Sequence, residues 1–182
     1  METKVIIANA IGFISFIIAL IAFHKKEKKN IFKYTMISNA LSLIQYIFLN
    51  AYSGIATKLI AILRDLSMVK QEKYNILKSR KMLIVFVCAY IILMIITYQG
   101  FISIFSLLAA LIYTIFCWNG DANRVRSIGI LTNVLWLIYN ISVKSYTGAM
   151  ANFISIVSTF IAIFNNKKLL NLFTIIFFAG LI

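Results

Sequence analysis

Residues 38–66 read SNALSLIQYIFLNAYSGIATKLIAILRDL, and they lie without a gap over residues 132–160, TNVLWLIYNISVKSYTGAMANFISIVSTF. Nine of the 29 aligned pairs are identical, at an offset of 94 residues. Apolar identities are frequent between apolar helices, whereas identities of polar residues and glycine are less expected. The latter are Asn39/Asn133, Tyr52/Tyr146 and Gly54/Gly148. The chain therefore carries one helical unit twice, and this duplication decides its fold.

The composition around the repeat is that of a membrane protein. Apolar residues make up 62% of the 182 residues, charged residues make up 13%, and proline is absent. An ordinary soluble domain is about 45–50% apolar and about 25% charged, so this chain has too few charges to cover a water-facing surface. Its length allows about seven spans of about 20 residues each and no separate catalytic domain.

Seven apolar segments of spanning length follow one another along the chain. They cover about residues 5–23, 31–51, 54–69, 82–98, 101–118, 127–143 and 147–164. The sequence therefore predicts an all-α polytopic membrane protein with seven transmembrane helices. A last apolar segment, residues 169–182, would reach only about 21 Å as a helix, against a hydrocarbon core of about 30 Å. Whether that segment is interfacial, a thin span or cut off stays open.

The repeat also reaches the first helix of each copy. With a three-residue adjustment, four residues of one copy match four of the other: Ser15/Ser106, Ala19/Ala110, Leu20/Leu111 and Ile21/Ile112. Three helices per copy would leave the second copy inverted, unless the helix at residues 82–98 supplies another crossing. We therefore predict a 3+1+3 fold, in which a linker helix joins two parallel three-helix bundles. Its divisions are residues 1–69 (first unit), 70–98 (cytoplasmic loop and linker helix), 99–166 (second unit) and 167–182 (short C-terminal apolar segment).

The net charge of +13 is explained by membrane topology. Fourteen of the 18 basic residues lie in four alternate connections: Lys25, Lys26, Lys28, Lys29 and Lys33; Lys70, Lys73, Lys78, Arg80 and Lys81; Arg124 and Arg126; Lys167 and Lys168. Basic residues accumulate in this way in cytoplasmic loops, which places the amino terminus outside. Loops this short cannot form a nucleic-acid-binding face, so we expect no nucleic-acid partner.

Polar side chains follow one face of three predicted helices, and each stripe has two interpretations. The stripes are Thr35, Ser38, Asn39, Ser42 and Tyr46; Asn133, Trp136 and Asn140; and Asn152, Ser155 and Thr159. The first interpretation is a hydrated cavity whose amides bind a polar solute, while Trp136 or Tyr46 stacks on a ring. The second is hydrogen bonding between helices, worth roughly 0.6–2 kcal/mol per contact. We favour the second for single hydroxyls and leave both open for Asn39, Asn133 and Asn152.

Three charged residues, Lys58, Arg64 and Asp65, lie inside the third predicted helix. A charge at the bilayer centre costs about 2.5–3.5 kcal/mol even on an insertion scale, so these residues are functional candidates. Lys58 and Asp65 share a helix face, whereas Arg64 is expected to point elsewhere. The equivalent face of the seventh helix carries Asn152 and Thr159, so one half of a cavity would be charged and the other neutral, which would suit a ligand with a carboxylate or phosphate at one end. Alternatively, Lys58 and Arg64 extend to opposite membrane surfaces and Asp65 neutralises one of them.

No motif for enzymatic, metal or cofactor chemistry stands in the sequence. His24 lies among lysines, without the acidic or cysteine neighbours of a metal site. Cys88 and Cys117 fall in apolar segments, where cysteine behaves as a small apolar residue. There is no nucleophile–base pair, HExxH motif or glycine-rich phosphate loop. We therefore expect no enzymatic activity, no catalytic or metal-binding residue and no cofactor.

Three short motifs stand out along the seven segments: the Tyr-Ser-Gly turn at residues 52–54, the arginine that ends Leu-Ile-Ala-Ile-Leu-Arg at residues 59–64, and Thr-Gly-Ala-Met at residues 147–150. With these motifs, the seven segments together resemble the YgjV family of bacterial inner-membrane proteins. It implies a multi-pass protein of the bacterial inner membrane. The 3+1+3 plan is similar to that of SWEET sugar transporters and PnuC vitamin transporters, whose substrate lies between the two units. SWEET-type units hinge at prolines, which this chain lacks, although Gly12, Gly54, Gly129 and Gly148 offer bends.

From these features we expect a transporter or facilitator of a small polar metabolite, of the sugar, nucleoside or vitamin kind, that works by alternating access between the two units. The predicted substrate-binding residues are Asn39, Tyr46, Lys58, Asp65, Asn133, Trp136 and Asn152, with Arg64 as a gating or structural charge. The alternative is a non-transporting membrane scaffold that binds a lipid or a partner. Membrane lipid is an expected partner in both cases, and the pairing of whole chains into homo-oligomers stays open.

Overall fold

The structure is a computed structural model that describes residues 2–23 and 25–163, and in this part of the chain it is all-helical. Seven α-helices run Glu2–Phe23 (α1), Lys28–Phe48 (α2), Tyr52–Lys70 (α3), Arg80–Ile96 (α4), Ile102–Cys117 (α5), Ala122–Ser142 (α6) and Tyr146–Ile163 (α7). A short 3-10 helix, Asn75–Lys78, precedes α4. His24 and the last apolar segment, residues 169–182, lie outside the described residues.

The predicted helices are confirmed, and each observed boundary lies within five residues of the predicted one. The largest difference is at α6, which begins at Ala122 rather than at Ser127. Asp121 explains this extension, because its carboxylate accepts a hydrogen bond from the backbone N–H of Arg124 at 2.8 Å. Such an N-terminal cap satisfies a backbone donor that would otherwise stay unpaired, so the helix can begin five residues before the apolar segment.

The α2–α3 and α6–α7 turns have the same backbone conformation. The repeat-equivalent residues Asn50 and Lys144 adopt positive φ angles of 54° and 61°. In each turn the next residue donates its N–H to the carbonyl five residues back, at 3.0 Å in the first turn and 2.9 Å in the second. A left-handed residue of this kind ends a helix abruptly. Helix α2 therefore ends at Phe48 rather than at the predicted Ala51.

Contacts between helices follow the chain order within each copy. Helix α2 packs against α1 and α3, and α6 packs against α5 and α7. Helix α4 lies against α3 and α5, where Phe86 and Trp118 place their ring centroids 5.6 Å apart. Helix α2 also touches α6 of the other copy, and two more extensive contacts join the copies, α1 with α7 and α3 with α5. Because α1 is repeat-equivalent to α5 and α3 to α7, these two contacts are also equivalent.

The outer surface of the described helices carries large apolar side chains. Ile6, Ile95, Ile96 and Phe101 are each about two-thirds or more exposed. Apolar exposure on this scale marks a surface that is covered by lipid or by a partner. By length and apolar composition, the segment Thr3–Ala22 is the one described helix that qualifies as a membrane span, with a mean hydropathy of 2.6. Shorter apolar helices cover Ile102–Cys117, Ser127–Ser142 and Tyr146–Val157.

Glycine allows close approach between helices in this structure. A Cβ atom added at Gly54 would lie 2.7 Å from the Tyr139 hydroxyl and 2.9 Å from the Tyr46 ring. Both tyrosines are buried, so neither can move away easily. At Gly148, an added Cβ would lie 3.0 Å from the Asn140 amide nitrogen. These two glycines are therefore sites of tight packing, in addition to the bends that the sequence suggests.

The first prediction concerns Gly54, which should not tolerate a methyl group. We expect Gly54→Ala to lower the free energy of unfolding by roughly 1–3 kcal/mol, because overpacking forces the buried Tyr46 and Tyr139 to shift. Ser67→Ala on the same helix is the control, since the Ser67 hydroxyl bonds the carbonyl of Leu63 in its own helix. The measurement is denaturant unfolding of the detergent-purified protein. Equal stability of Gly54→Ala and Ser67→Ala would contradict the packing described.

Candidate functional site

A cavity of about 170 Å³ lies between the two copies. Helices α1, α2 and α3 line it from one side, and α5, α6 and α7 line it from the other. Its polar lining comprises Ser15, Thr35, Ser38, Asn39, Ser42, Gln45, Tyr46, Thr57, Lys58, Arg64, Tyr113, Thr132, Asn133, Trp136, Asn140 and Asn152. A cavity with this many polar groups is the natural candidate for a binding site.

Repeat-equivalent positions face each other across this cavity. Ten pairs of lining residues are equivalent: Ala19/Ala110, Ala22/Tyr113, Ile31/Val125, Thr35/Gly129, Ser38/Thr132, Asn39/Asn133, Ser42/Trp136, Tyr46/Asn140, Thr57/Ala151 and Lys58/Asn152. The same faces of the same helices therefore build both walls. The walls differ chemically, because Lys58 in the first copy stands where Asn152 stands in the second.

An ion pair lies behind the wall of the first copy. Arg64 donates to Asp65 Oδ1 twice, from Nη2 at 2.7 Å and from Nε at 2.9 Å. The two side chains are 4% and 0% exposed. Arg64 Nη1 also donates to the hydroxyls of Thr114 at 3.1 Å and Tyr90 at 3.4 Å, and the guanidinium lies 4.7 Å from the ring centroid of Tyr113. Both charges thus have polar partners, as burial in a low-dielectric interior requires.

Asn39 connects this ion pair to Lys58. The Asn39 amide nitrogen donates to Asp65 Oδ2 at 2.8 Å, and the amide oxygen accepts from Lys58 Nζ at 2.9 Å. Lys58 Nζ also lies 4.3 Å from the ring centroid of Trp136, on the opposite copy. A cation over an indole face is stabilised by the ring quadrupole. Lys58 therefore reaches across the cavity from one copy to the other.

Two asparagines of the second copy face the cavity without such partners. Asn133 and Asn152 both line it and are both partly buried. Within the described residues, neither side-chain amide makes a hydrogen bond to the protein. An amide offers two donors and one acceptor oxygen. These two side chains are therefore available to a bound solute, whereas Asn39 is already engaged.

A layer of hydrogen bonds lies at the end of the cavity near the two turns. We call it the turn layer, and it consists of Gln45, Tyr46, Ser53, Tyr139, Asn140 and Thr147. The Tyr46 hydroxyl donates to Asn140 Oδ1 at 2.6 Å, and these two residues are repeat-equivalent. Ser53 and Tyr139 join their hydroxyls at 3.0 Å, and Gln45 Nε2 donates to Thr147 Oγ1 at 3.2 Å. The last two bonds are equivalent to each other under the repeat, since Gln45 corresponds to Tyr139 and Ser53 to Thr147.

Most residues singled out by the sequence converge on this cavity. Asn39, Tyr46, Lys58, Asn133, Trp136 and Asn152 all line it. Asp65 does not line it, and instead lies behind Asn39. The expectation that Arg64 points away from Asp65 is wrong, because the flexible arginine side chain folds back onto its neighbour and also lines the cavity. The alternative in which Lys58 extends to a membrane surface is also wrong, since its ammonium group binds Asn39.

The serine and threonine hydroxyls of the stripe on α2 mainly bond helices to each other or their own helix. This agrees with the interpretation that the sequence favours for single hydroxyls. Ser15 on α1 bonds both Ser38 and Ser42 on α2, with oxygen–oxygen distances of 3.0 and 2.8 Å. Thr35 donates to the carbonyl of Ile31 in its own helix. The side chain of Thr159 lies outside the described residues. In the described part of the chain, no group of three His, Cys, Asp or Glu side chains is placed to hold a metal ion.

Sequence reasoning missed the partners that come from other helices. Tyr90, Tyr113 and Thr114 surround Arg64 from α4 and α5. Gln45 and Tyr139 also went unnoticed, although a signal for them was present. Gln45 and Tyr139 are aligned polar residues of the repeat, and so are Ser53 and Thr147. A two-fold relation between the copies places Gln45 beside Thr147 and Tyr139 beside Ser53.

The second prediction concerns the buried ion pair. We expect Arg64→Met and Asp65→Leu each to lower the free energy of unfolding by about 3–5 kcal/mol, because each leaves an uncompensated buried charge. The double variant should cost clearly less than the two single losses together. Arg80→Met, which removes an exposed arginine, is the control. The measurement is denaturant unfolding in mixed micelles. Additive losses in the double variant would contradict the coupling described.

Comparison with known proteins places the chain in a family. Residues 6–169 match the model of the Imp-YgjV family, which is described as "Bacterial inner membrane protein". No curated protein matches the chain, and no solved structure does. Since the match covers most of the 182 residues, the chain belongs to the YgjV family of bacterial inner membrane proteins.

Proposed function

We propose that this protein is a transporter or facilitator that moves a small polar metabolite across the inner membrane. The observation that supports this most directly is the cavity of about 170 Å³, which is lined by repeat-equivalent polar residues of both copies. A site shared by two copies of one unit is the arrangement in which a rocking motion can expose the site to either side in turn. Asn133 and Asn152, which lack hydrogen-bond partners in the described protein, are the groups that would bind the solute.

The proposal includes a 3+1+3 arrangement similar to that of SWEET-type proteins. It is supported by the equivalent contacts of α1 with α7 and of α3 with α5. The two turns are joined by the turn layer, so they lie at the same end of the molecule. Equivalent turns that meet at one end are what a parallel arrangement of the two copies requires. Their two-fold axis would pass through the contact of Tyr46 with Asn140, since equivalent residues meet only at such an axis.

In the membrane, each of the seven α-helices would cross the bilayer once, with the amino terminus outside. The helices contain 16–22 residues, which at 1.5 Å per residue corresponds to about 24–33 Å and suits a hydrocarbon core of about 30 Å. The lysine-rich connections before α2 and after α3 would then be cytoplasmic. The turn layer would lie near the outer surface and would close the cavity on that side.

Alternating access would require the turn layer to open and re-form. The contacts in it are side-chain hydrogen bonds and ring contacts between the copies. Gln45 bonds Thr147, Tyr46 bonds Asn140, Ser53 bonds Tyr139, and Thr147 also donates to Asn9 on α1, while the Tyr46 ring contacts the rings of Trp136 and Tyr139. Each hydrogen bond has a net value of about 0.5–1.5 kcal/mol, so thermal fluctuation and a bound solute can shift the balance. A rigid scaffold would have no need of such a weakly bonded layer above a polar cavity.

The third prediction tests the opening of the turn layer. In a Cys88→Ser/Cys117→Ala background, a cysteine at position 152 should react from outside with a small impermeant thiol reagent. Adding Tyr46→Phe should speed this reaction by about fivefold, because loss of one buried hydrogen bond favours the open state by about 1 kcal/mol. Ser142→Ala is the control, since the Ser142 hydroxyl bonds the carbonyl of Ile138 in its own helix. An unchanged reaction rate would favour the scaffold.

The fourth prediction tests the topology. In the same background, Lys4→Cys should react with an impermeant maleimide on intact spheroplasts, whereas Lys26→Cys should react only after permeabilisation. The reason is that basic loops are retained in the cytoplasm. Both residues are exposed, so accessibility within the protein is matched. The reverse pattern of labelling would overturn the proposed orientation.

A further inference from the structure

We propose that the cavity binds a small organic monoanion, with Lys58 as the residue that binds its carboxylate. This inference rests on the proposed function, because it names the class of solute for the same cavity. It is carried by the balance of charge around the cavity, by the geometry of Lys58 and by the size of the space. It narrows the classes of solute that the sequence suggests to one with a carboxylate at one end.

The charges near the cavity do not cancel. Lys58 and Arg64 supply two positive charges, and Asp65 supplies one negative charge. The chain has only four other acidic residues, which lie at the amino terminus and in connections: Glu2, Glu27, Glu72 and Asp121. One positive charge in the cavity therefore has no protein counterpart. An isolated charge in a low-dielectric interior is costly, and a bound anion removes that cost.

The uncompensated charge is that of Lys58. The Asp65 carboxylate already accepts two hydrogen bonds from Arg64 and one from Asn39. In the described part of the chain, Lys58 makes no ion pair and binds only a neutral amide oxygen and the face of Trp136. An ammonium group has three donors, and the Asn39 oxygen uses one. The remaining donors are available to a carboxylate in the cavity.

The opposite wall is neutral and suits the uncharged part of the same solute. Position 152, equivalent to Lys58, is an asparagine, and Asn133 on α6 also faces the cavity. Both amides are available for hydrogen bonds to a hydroxyl or a carbonyl group. The site therefore has a charged end and a polar neutral end, which favours a solute with one anionic group.

The cavity also limits the size of the solute. Its volume of about 170 Å³ is close to the roughly 150 Å³ of a cavity that holds one benzene molecule. A solute with one carboxylate and a body no larger than a single ring fits this space. A nucleoside, which joins a base to a sugar, is too large for the conformation described. Pyruvate and benzoate, each with a neutral amide of the same shape, are suitable probes.

The experiment uses Trp136 as a reporter of anions near Lys58. The chain has two tryptophans, so Trp118→Phe leaves Trp136 as the single emitter. We expect iodide to quench its fluorescence in the detergent-purified protein, and pyruvate or benzoate to relieve the quenching. Pyruvamide and benzamide should have no effect, because they carry no charge. Lys58→Asn, which installs the residue of the equivalent position in the second copy, should reduce the iodide quenching constant by about fivefold or more.

Lys70→Asn is the matched control, because it removes an exposed lysine from the end of the same helix. Three results would overturn the inference: equal iodide quenching in Lys58→Asn and Lys70→Asn, relief by the amides as well as the carboxylates, or relief by neither. Binding of an amide alone would leave the transporter proposal intact with a neutral solute. Carboxylate binding in a protein whose turn layer never opens would support the anion site and contradict transport.

Discussion

Two opposite charges on adjacent residues of α3 are buried inside the protein, and the contacts on the first copy's side of the cavity follow from their need for polar partners. Arg64 and Asp65 are almost fully buried and satisfy each other. Asp65 also accepts a hydrogen bond from Asn39 on α2, and Arg64 also donates one to Thr114 on α5. Asn39 belongs to the first copy and Thr114 to the second, so the ion pair is bonded to both copies. Lys58 is then held by Asn39 at the edge of the cavity.

Duplication followed by divergence explains why this cavity has two unlike walls. The backbone of the two copies has stayed the same at the turns, including the positive φ angles of Asn50 and Lys144. The polar contacts of the turn layer have also kept their two-fold pattern. The charged residues do not follow this two-fold pattern, since Lys58 of the first copy corresponds to Asn152 of the second. A symmetric scaffold thus holds an asymmetric site, and such a site can orient a solute that has one charged end.

The helices and the face that each turns inward could be predicted from the sequence, because helical periodicity alone places Asn39, Lys58, Asn133 and Asn152 on inward faces. The contacts of single side chains with helices far away in the chain, and the exact helix ends, could not be predicted in this way. The position of the Arg64 side chain is set by hydroxyls on α4 and α5, far away in the chain. The end of α2 is set by the left-handed conformation of Asn50, which apolar content does not reveal.

Transport as proposed requires the two copies to move relative to each other around the cavity. Tyr52 and Tyr146 are repeat-equivalent, begin α3 and α7, and are both more than half exposed. Spin labels on cysteines at these two positions, in the Cys88→Ser/Cys117→Ala background and in lipid vesicles, report the separation of the two turns by pulsed electron resonance. Alternating access predicts two distances, with the longer one enriched by Tyr46→Phe. A single distance that Tyr46→Phe leaves unchanged would contradict the claim and identify a static scaffold.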